Sequence, residues 1–427
     1  MILENFEPKL DNKEYGEVYP RYNGQSLANV PHTLMKLLGA KTNGIPINEK
    51  YYAKLDASGI KKVAFILLDG FGYKMWMDSW KNPGFFNTMS KKGIVLPITS
   101  VFPSTTASAV TTANTGLTPI QHGLPEWQIY FHEIKMIINT LPFTPYYPQL
   151  TQSLTDKGIK SSILYNGKTI YEQLARQGVS CTSITNRVIA NGLYTKIIKK
   201  GSKQASFVKP TDGVLKLKHI IESERKRAYV QLYIDNIDAS THAYGPFSEE
   251  SRAEINSISN IFEKQLLEKI GKRAAEETLV VVTSDHGHSR INPSSMVYLN
   301  NDRKLTELLA IDGGKKILPT GSPRDVFLHI KKGQIETAVS YLQDRFSKVA
   351  DVMTTTQAIE MGLYGMGKPN KKFMDRVGDV LILPKEGESI WYEHIKGKKY
   401  KLIGVHGGLT KNEMLTPLAM ARLCDLI

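Results

Sequence analysis

The run VAFILLDG, residues 63–70, decides the fold: apolar residues follow one another without alternation and close on Asp69 and Gly70. A half-exposed strand alternates apolar with polar side chains, whereas a strand covered on both faces does not. The run therefore predicts a buried strand of a parallel sheet, and an open α/β sheet places its ligands beyond the carboxyl ends of such strands. Asp69 stands at that end. Taken alone, an aspartate there serves equally well as a turn former.

The same pattern recurs downstream. AYVQLYI, residues 228–234, runs into DNIDASTHAYGP, and TLVVVT, residues 278–283, runs into SDHGH. Asp238 and His242 are four residues apart, a spacing that brings both side chains to one side of a helical turn or a compact loop. Asp285 and His286 sit at the mouth of the most β-branched run in the chain, where a pair of metal ligands explains them better than a cap. Between these runs the chain repeats helix then strand, with helices read at 71–92, 152–157, 169–177, 216–227 and 248–272 and further strands at 93–100, 159–165 and 179–185. That rhythm predicts a doubly wound, mostly parallel sheet flanked by helices.

Residues 100–127, SVFPSTTASAVTTANTGLTPIQHGLPEW, are crowded with hydroxyls. Pro103 breaks the preceding strand, Ser104, Thr105 or Thr106 can cap, and residues 107–113 can coil until Gly116 stops them. A hydroxyl at a helix start lies where backbone N–H groups can hold a phosphate. His406 is set among glycines in GVHGG, a backbone that can aim it at a site. Asp69, the Thr105/Thr106 turn, Asp238 with His242, Asp285 with His286, and His406 thus converge on one sheet edge. Three carboxylates with three imidazoles suit two zinc-like ions, with manganese second, better than one ion.

The organisation expected is an N-terminal extension over residues 1–58, a metal-binding core over 59–312, a smaller inserted α+β lobe over 313–400, and a return to the core over 401–427 that ends in a helix. At 427 residues, with 41% hydrophobic and 22% charged residues, the composition is that of a soluble globular protein. Only Cys181 and Cys424 are present, which speaks against a disulfide framework or a zinc-thiolate site. No apolar run is long enough to span a bilayer, and MILENFEPKLDNKEYGE turns acidic and polar too early for a secretory signal. The expected location is cytoplasmic. The net charge of +14 comes from scattered lysines with short runs at 196–203 and 396–401, so solubility is favoured over nucleic-acid binding as its purpose.

The motifs LLDGFG, FPSTTASAVTTANTGLTPIQHG, DNIDASTHAYGP, VVTSDHGH and GVHGG, in that order, resemble the alkaline phosphatase superfamily, and within it the nucleotide pyrophosphatase/phosphodiesterase-like group. The resemblance implies an alkaline phosphatase-like fold and a two-metal hydrolase that cleaves phosphodiester or nucleotide pyrophosphate bonds through a covalent phosphothreonine. It implies one ion held by Asp69, Thr106, Asp285 and His286, and a second held by Asp238, His242 and His406. Matching the Pro-Ser-x-Thr pattern selects Thr106 as nucleophile, with Thr105 as the fallback. The chain departs from the pattern at Thr241, where a glycine usually precedes the histidine, and at Trp127, where the diesterases often carry a phosphate-contacting asparagine. Trp127 and His288 are the candidate substrate contacts. The modified nucleophile motif of sulfatases is missing, and Thr106 argues against the serine-using phosphoglycerate mutases. The competing readings are a phosphate monoesterase of the same superfamily and a polyanion- or nucleic-acid-binding module with little catalysis.

Overall fold

The structure is a computed structural model and describes every residue except 14–15 and 147–152. Its centre is a seven-stranded sheet built from β1 (Lys62–Leu68), β2 (Ile94–Thr99), β3 (Ser180–Asn186), β4 (Lys203–Phe207), β5 (Ala228–Ile234), β6 (Thr278–Thr283) and β7 (Leu415–Arg422). The strand order is β2-β7-β6-β1-β5-β3-β4. The pairs β6-β1-β5-β3-β4 are all parallel, while β7 is antiparallel to both β6 and β2. The three uniform apolar runs are the three central strands. Along β1, Val63, Phe65 and Leu67 join the core on one face, and Ala64, Ile66 and Leu68 join the core on the other. Two-sided burial is thus the physical cause of the unbroken apolar run.

The hydroxyl-rich stretch becomes α1 (Thr106–Thr115), capped by Thr105 and ended by Gly116 at φ +72°. All ten of its residues are buried. Burial is eased where its hydroxyls find partners: Thr111 Oγ1 donates to Ala107 O at 2.6 Å, Thr115 Oγ1 to Thr111 O at 2.8 Å, and Thr112 Oγ1 lies 3.2 Å from His122 Nε2, whereas Ser108 Oγ has no partner. The stretch after β5 forms α2 (Asn236–Tyr244). A second sheet, with strand order Thr320–Ser322, Asp325–Leu328, Val380–Pro384, Ala350–Thr354, is antiparallel throughout and forms the smaller lobe with the helix Ile335–Phe346. No helix of the described residues is long and apolar enough to cross a membrane.

Four segments differ from expectation. Residues 71–92 form two helices, Tyr73–Ser79 and Phe85–Lys92, because Pro83 and Gly84, the latter at φ +134°, interrupt the coil. Residues 159–165 hold a 3-10 turn at Ser161–Ile163 instead of a strand. The expected helix at 152–157 begins outside the described residues and continues as turns. The last stretch does end in a helix, but it is only Leu423–Leu426, and the residues before it form β7, itself preceded by the four-residue helix Lys411–Met414. Pro417 argues against a central strand from sequence, but it lies opposite Pro97 of β2, so the two missing N–H donors fall at one rung of the ladder.

Two buried polar clusters bear on stability. Arg324 of the smaller lobe and Glu413, just before β7, form a two-pronged pair, Nε to Oε1 at 2.9 Å and Nη2 to Oε2 at 3.0 Å, with both side chains fully buried. Replacing Arg324 by Ala leaves a buried carboxylate uncompensated and is expected to cost about 3–5 kcal/mol, read as a drop in the urea unfolding free energy. Lys199 is buried, donating to Asn114 Oδ1 of α1 at 2.8 Å, to Tyr171 OH at 3.2 Å and to Gln231 Oε1. Burial lowers its pKa to about 7. From about pH 7 up to the ordinary lysine value near 10.4, the unfolded chain therefore holds the extra proton and this group's contribution to stability rises with pH. Below the folded value that contribution is lost. Lys199→Met is expected to flatten this part of the stability profile, checked by denaturation midpoints at about pH 7 and about pH 9.

Candidate active site

Parallel strands bring their carboxyl ends to one edge, and four of the five motifs leave the sheet there. Asp69 follows β1, Asp238 is on α2 after β5, and Asp285 and His286 follow β6. Thr106 begins α1 after β2. His406 arrives from the opposite direction, in the loop that leads into β7, whose antiparallel course makes its first residue lie at the same edge. The loop is fastened to the α1 turn: His406 Nδ1 is 3.1 Å from Ser104 O, Gly407 N donates to Ser104 Oγ at 3.2 Å, and Ser104 Oγ donates to Gly408 O at 2.8 Å. Gly407, at φ +124°, is required there, because a Cβ would stand 2.5 Å from Asp325 Oδ1.

The donors form overlapping groups, the two described next and a third of Asp238 with His286 and His288. In one, Asp69, Asp285 and His286 offer ligand atoms within 4.8 Å of one another, and all three residues are buried. Each carboxylate is anchored by one oxygen. Asp285 Oδ1 accepts from Gly70 N at 3.0 Å and His286 N at 2.9 Å, while Asp69 Oδ2 accepts from Tyr233 OH. The other oxygens, Asp285 Oδ2 and Asp69 Oδ1, have no hydrogen-bond partner. Both face His286 Nε2, at 3.3 and 3.5 Å. Thr106 Oγ1 lies 3.1 Å from the same nitrogen.

In the other group, Asp238, His242 and His406 likewise lie within 4.8 Å of one another. His242 Nδ1 is 2.7 Å from Gly404 O, and His406 Nδ1 contacts Ser104 O, so each ring has its proton on Nδ1 and a lone pair on Nε2. The two Nε2 atoms are 3.3 Å apart. Two lone pairs at that distance, beside a carboxylate, are what a shared cation would draw together. Charge distribution points the same way. Burial, then the charges of Asp285 and Asp238, holds the Asp69 carboxyl far above its usual range, and burial with the neighbouring imidazoles holds His406 well below its own. The orphaned oxygens and the inward lone pairs fit two divalent cations, with Asp69, Asp285, His286 and Thr106 around one and Asp238, His242 and His406 around the other.

Of the candidate substrate contacts, Trp127 is 40% exposed and lines the open cleft beside these groups. His288 does not reach the cleft. Its side chain is fully buried, with Nε2 2.9 Å from Asp238 Oδ1, so it contacts a candidate ligand. It fits there because Gly70 lacks a side chain: a Cβ would stand 2.6 Å from His288 Nε2. Thr105, the fallback nucleophile, is buried with its hydroxyl unpartnered and is the N-cap residue rather than the first helical one. Sequence reasoning missed Tyr233, which holds Asp69 from within β5, and Glu126, a cleft-lining carboxyl pushed up to about 7 by burial. Tyr233 carried no signal beyond a polar tip in an apolar run.

Known proteins resemble the chain in both sequence and shape. Venom phosphodiesterase 2 of Crotalus adamanteus is 23% identical over 242 residues, 56% of this chain and 28% of the venom protein. Human ectonucleotide pyrophosphatase/phosphodiesterase family member 1 is 24% identical over 204 residues, 47% of this chain and 20% of the human protein. The chain thus spans less than a third of the length of these curated relatives. Among solved structures, murine ectonucleotide pyrophosphatase/phosphodiesterase 5 superposes with a TM-score of 0.61 at 20% identity, covering 84% of this chain and 87% of that one. Phosphonoacetate hydrolase from Sinorhizobium meliloti 1021, solved with phosphonoacetate, gives 0.60 at 16% identity, covering 86% and 94%. These likenesses show the shared fold. Residues 63–409, which hold every candidate ligand, match the type I phosphodiesterase / nucleotide pyrophosphatase family, and the chain belongs to that family.

Proposed function

We propose that the chain is a two-metal hydrolase of phosphodiester or nucleotide pyrophosphate bonds that works through a phosphothreonine on Thr106. The observation that carries this reading is the position of Thr106 Oγ1, at the first residue of a buried helix and 3.1 Å from His286 Nε2, beside two groups of orphaned ligand atoms. In the proposed reaction Thr106 Oγ1 forms a bond to phosphorus while the bond to the leaving oxygen breaks and its electron pair departs with that group. Water then cleaves the phosphothreonine and restores the hydroxyl. The N-terminal N–H groups of α1 carry charge on the non-bridging oxygens. Bound divalent ions supply Lewis-acid stabilisation of the attacking and departing oxygens.

Zinc is the metal proposed first and manganese second, because imidazole nitrogens make up about half the donor set. A cytoplasmic setting is proposed on the two cysteines, Cys181 and Cys424, both free thiols. Thr106→Ala is expected to lower kcat by about a thousandfold or more on a nitrophenyl diester while both ions are retained by metal analysis. Activity close to that of the unaltered chain would refute the nucleophile. Asp238→Asn is expected to lose one ion and keep the other. Atomic-emission measurement of two tightly held ions in that variant would overturn the ligand map.

A further inference from the structure

Residues 392–402, YEHIKGKKYKL, form a strap along one wall of the cleft, and neither catalytic group accounts for it. One end is built into the second metal group: Ile403 N donates to His242 O at 3.0 Å, and Gly404 O faces His242 Nδ1. The other end is held by the smaller lobe, where Ile390–Trp391 pairs with Val297–Tyr298 and Tyr400 N donates to Tyr298 OH at 3.0 Å. Between these anchors Lys398, Lys399 and Lys401 line a cavity of about 650 Å³ that also takes in Thr106, His242 and His406. Among the described residues none of the three forms an ion pair; Lys399 Nζ lies 5.9 Å from the centre of the Tyr298 ring. The two carboxyl groups of the cleft are engaged elsewhere, Asp238 among histidines and Glu126 with the Trp127 amide. The wall is therefore a concentration of uncompensated positive charge that an anion would satisfy.

Its position says which part of the substrate meets it. In an in-line displacement the attacking and leaving oxygens lie on opposite sides of phosphorus. Thr106 Oγ1 lies against His286, in the group with Asp69 and Asp285, which leaves the group of Asp238, His242 and His406 on the departing side. The strap is hydrogen-bonded to that departing side. We propose that the lysine strap is a specificity element selecting substrates whose leaving group is itself a phosphate-bearing anion, so that phosphoanhydrides are preferred over diesters that release a simple phenol or alcohol. This rests on the hydrolase reading above and assigns its leaving group. The bond broken joins phosphorus to the bridging oxygen, the departing phosphate or pyrophosphate keeps the electron pair, and water supplies the replacement oxygen in the second step.

The test compares the zinc-loaded chain with its Lys398→Gln/Lys401→Gln and Lys398→Arg/Lys401→Arg variants on ATP and on bis(4-nitrophenyl) phosphate, with pyrophosphate binding measured by calorimetry. The glutamine pair is expected to raise the KM for ATP and weaken pyrophosphate binding by roughly tenfold, with kcat on ATP and the KM for the diester within about twofold. The arginine pair is expected to restore ATP. A parallel loss on both substrates, or no change on either, overturns the proposal. Should the unaltered chain hydrolyse neither compound, the hydrolase reading fails while the strap is still decided by calorimetry: weaker pyrophosphate binding in the glutamine pair supports it, and unchanged binding overturns it.

Discussion

Two buried carboxylates, Asp69 and Asp285, with the half-buried Asp238 beside them, meet at the edge of this sheet, and their crowding is the constraint on which the rest of the site depends. Asp69 is taken out of water, which raises the free energy of its charged form, and the nearby charges of Asp285 and Asp238 add to the cost. Hydrogen bonds relieve only part of it. Tyr233 binds one oxygen of Asp69 and two backbone amides bind one oxygen of Asp285, while the opposite oxygens remain without partners. His288 Nε2, 2.9 Å from Asp238 Oδ1, and the neighbouring imidazoles relieve Asp238, but they leave the free oxygens of Asp69 and Asp285 without a hydrogen bond. The contacts of Gly404 O with His242 Nδ1 and of Ser104 O with His406 Nδ1 turn the Nε2 atoms of these two rings toward each other. Such a cluster is coherent only as a binding site for cations.

Topology explains how so dispersed a set of residues meets. Residues that follow parallel strands reach one edge automatically, and β6, β1 and β5 are adjacent, so Asp285, Asp69 and the helix bearing Asp238 are neighbours by construction. His406 would stand at the opposite end if the last strand were parallel. Its arrival depends on β7 running backwards between β6 and β2, which puts the beginning of β7 at the edge where the others finish. The Arg324–Glu413 pair then clamps the smaller lobe to the approach of β7 and, through Gly408 N to Glu413 Oε1 at 3.1 Å, to the histidine loop itself. Lobe and ligand are therefore positioned by one buried interaction.

This division marks what could be read from the chain alone. The central strands announced themselves because burial on both faces removes alternation, and each apolar run pointed to the chemistry behind it. Asp69, Asp238 with His242, and Asp285 with His286 were legible for that reason, and His406 because glycine neighbours leave little else for it to do. β7 was not legible. LTPLAMAR contains a proline and good helix formers, and only the partner proline at 97 makes it a strand, which is a non-local fact. The cleft was equally hidden, because its walls come from segments distant in sequence: Trp127 after α1, Trp391 in the lobe and the lysines before His406. His288 shows the limit at single-residue scale. Two residues beyond a candidate ligand, it offered no signal for its place from sequence, and the missing side chain at Gly70 opens a niche that lets it reach Asp238.

The charge of the chain acquires a local meaning in this setting. A net +14 spread over a surface governs solubility and is screened within about a Debye length of 8–10 Å. Lysines that line a cleft with low-dielectric walls act over shorter distances and less screened paths, so a few there outweigh many outside. The strap places its lysines within the same cavity as Thr106 and His406, and it is hydrogen-bonded to the ligand His242. Its C-terminal end is therefore tied, through Ile403, to a candidate ligand, and its side chains add positive charge beside the candidate donor groups. A diester carries a single negative charge, which two cations and a helix N-terminus already satisfy. Further positive charge along the departing side has a partner only when the leaving group brings negative charge of its own, and that asymmetry ties the shape of the cleft to a choice between substrates.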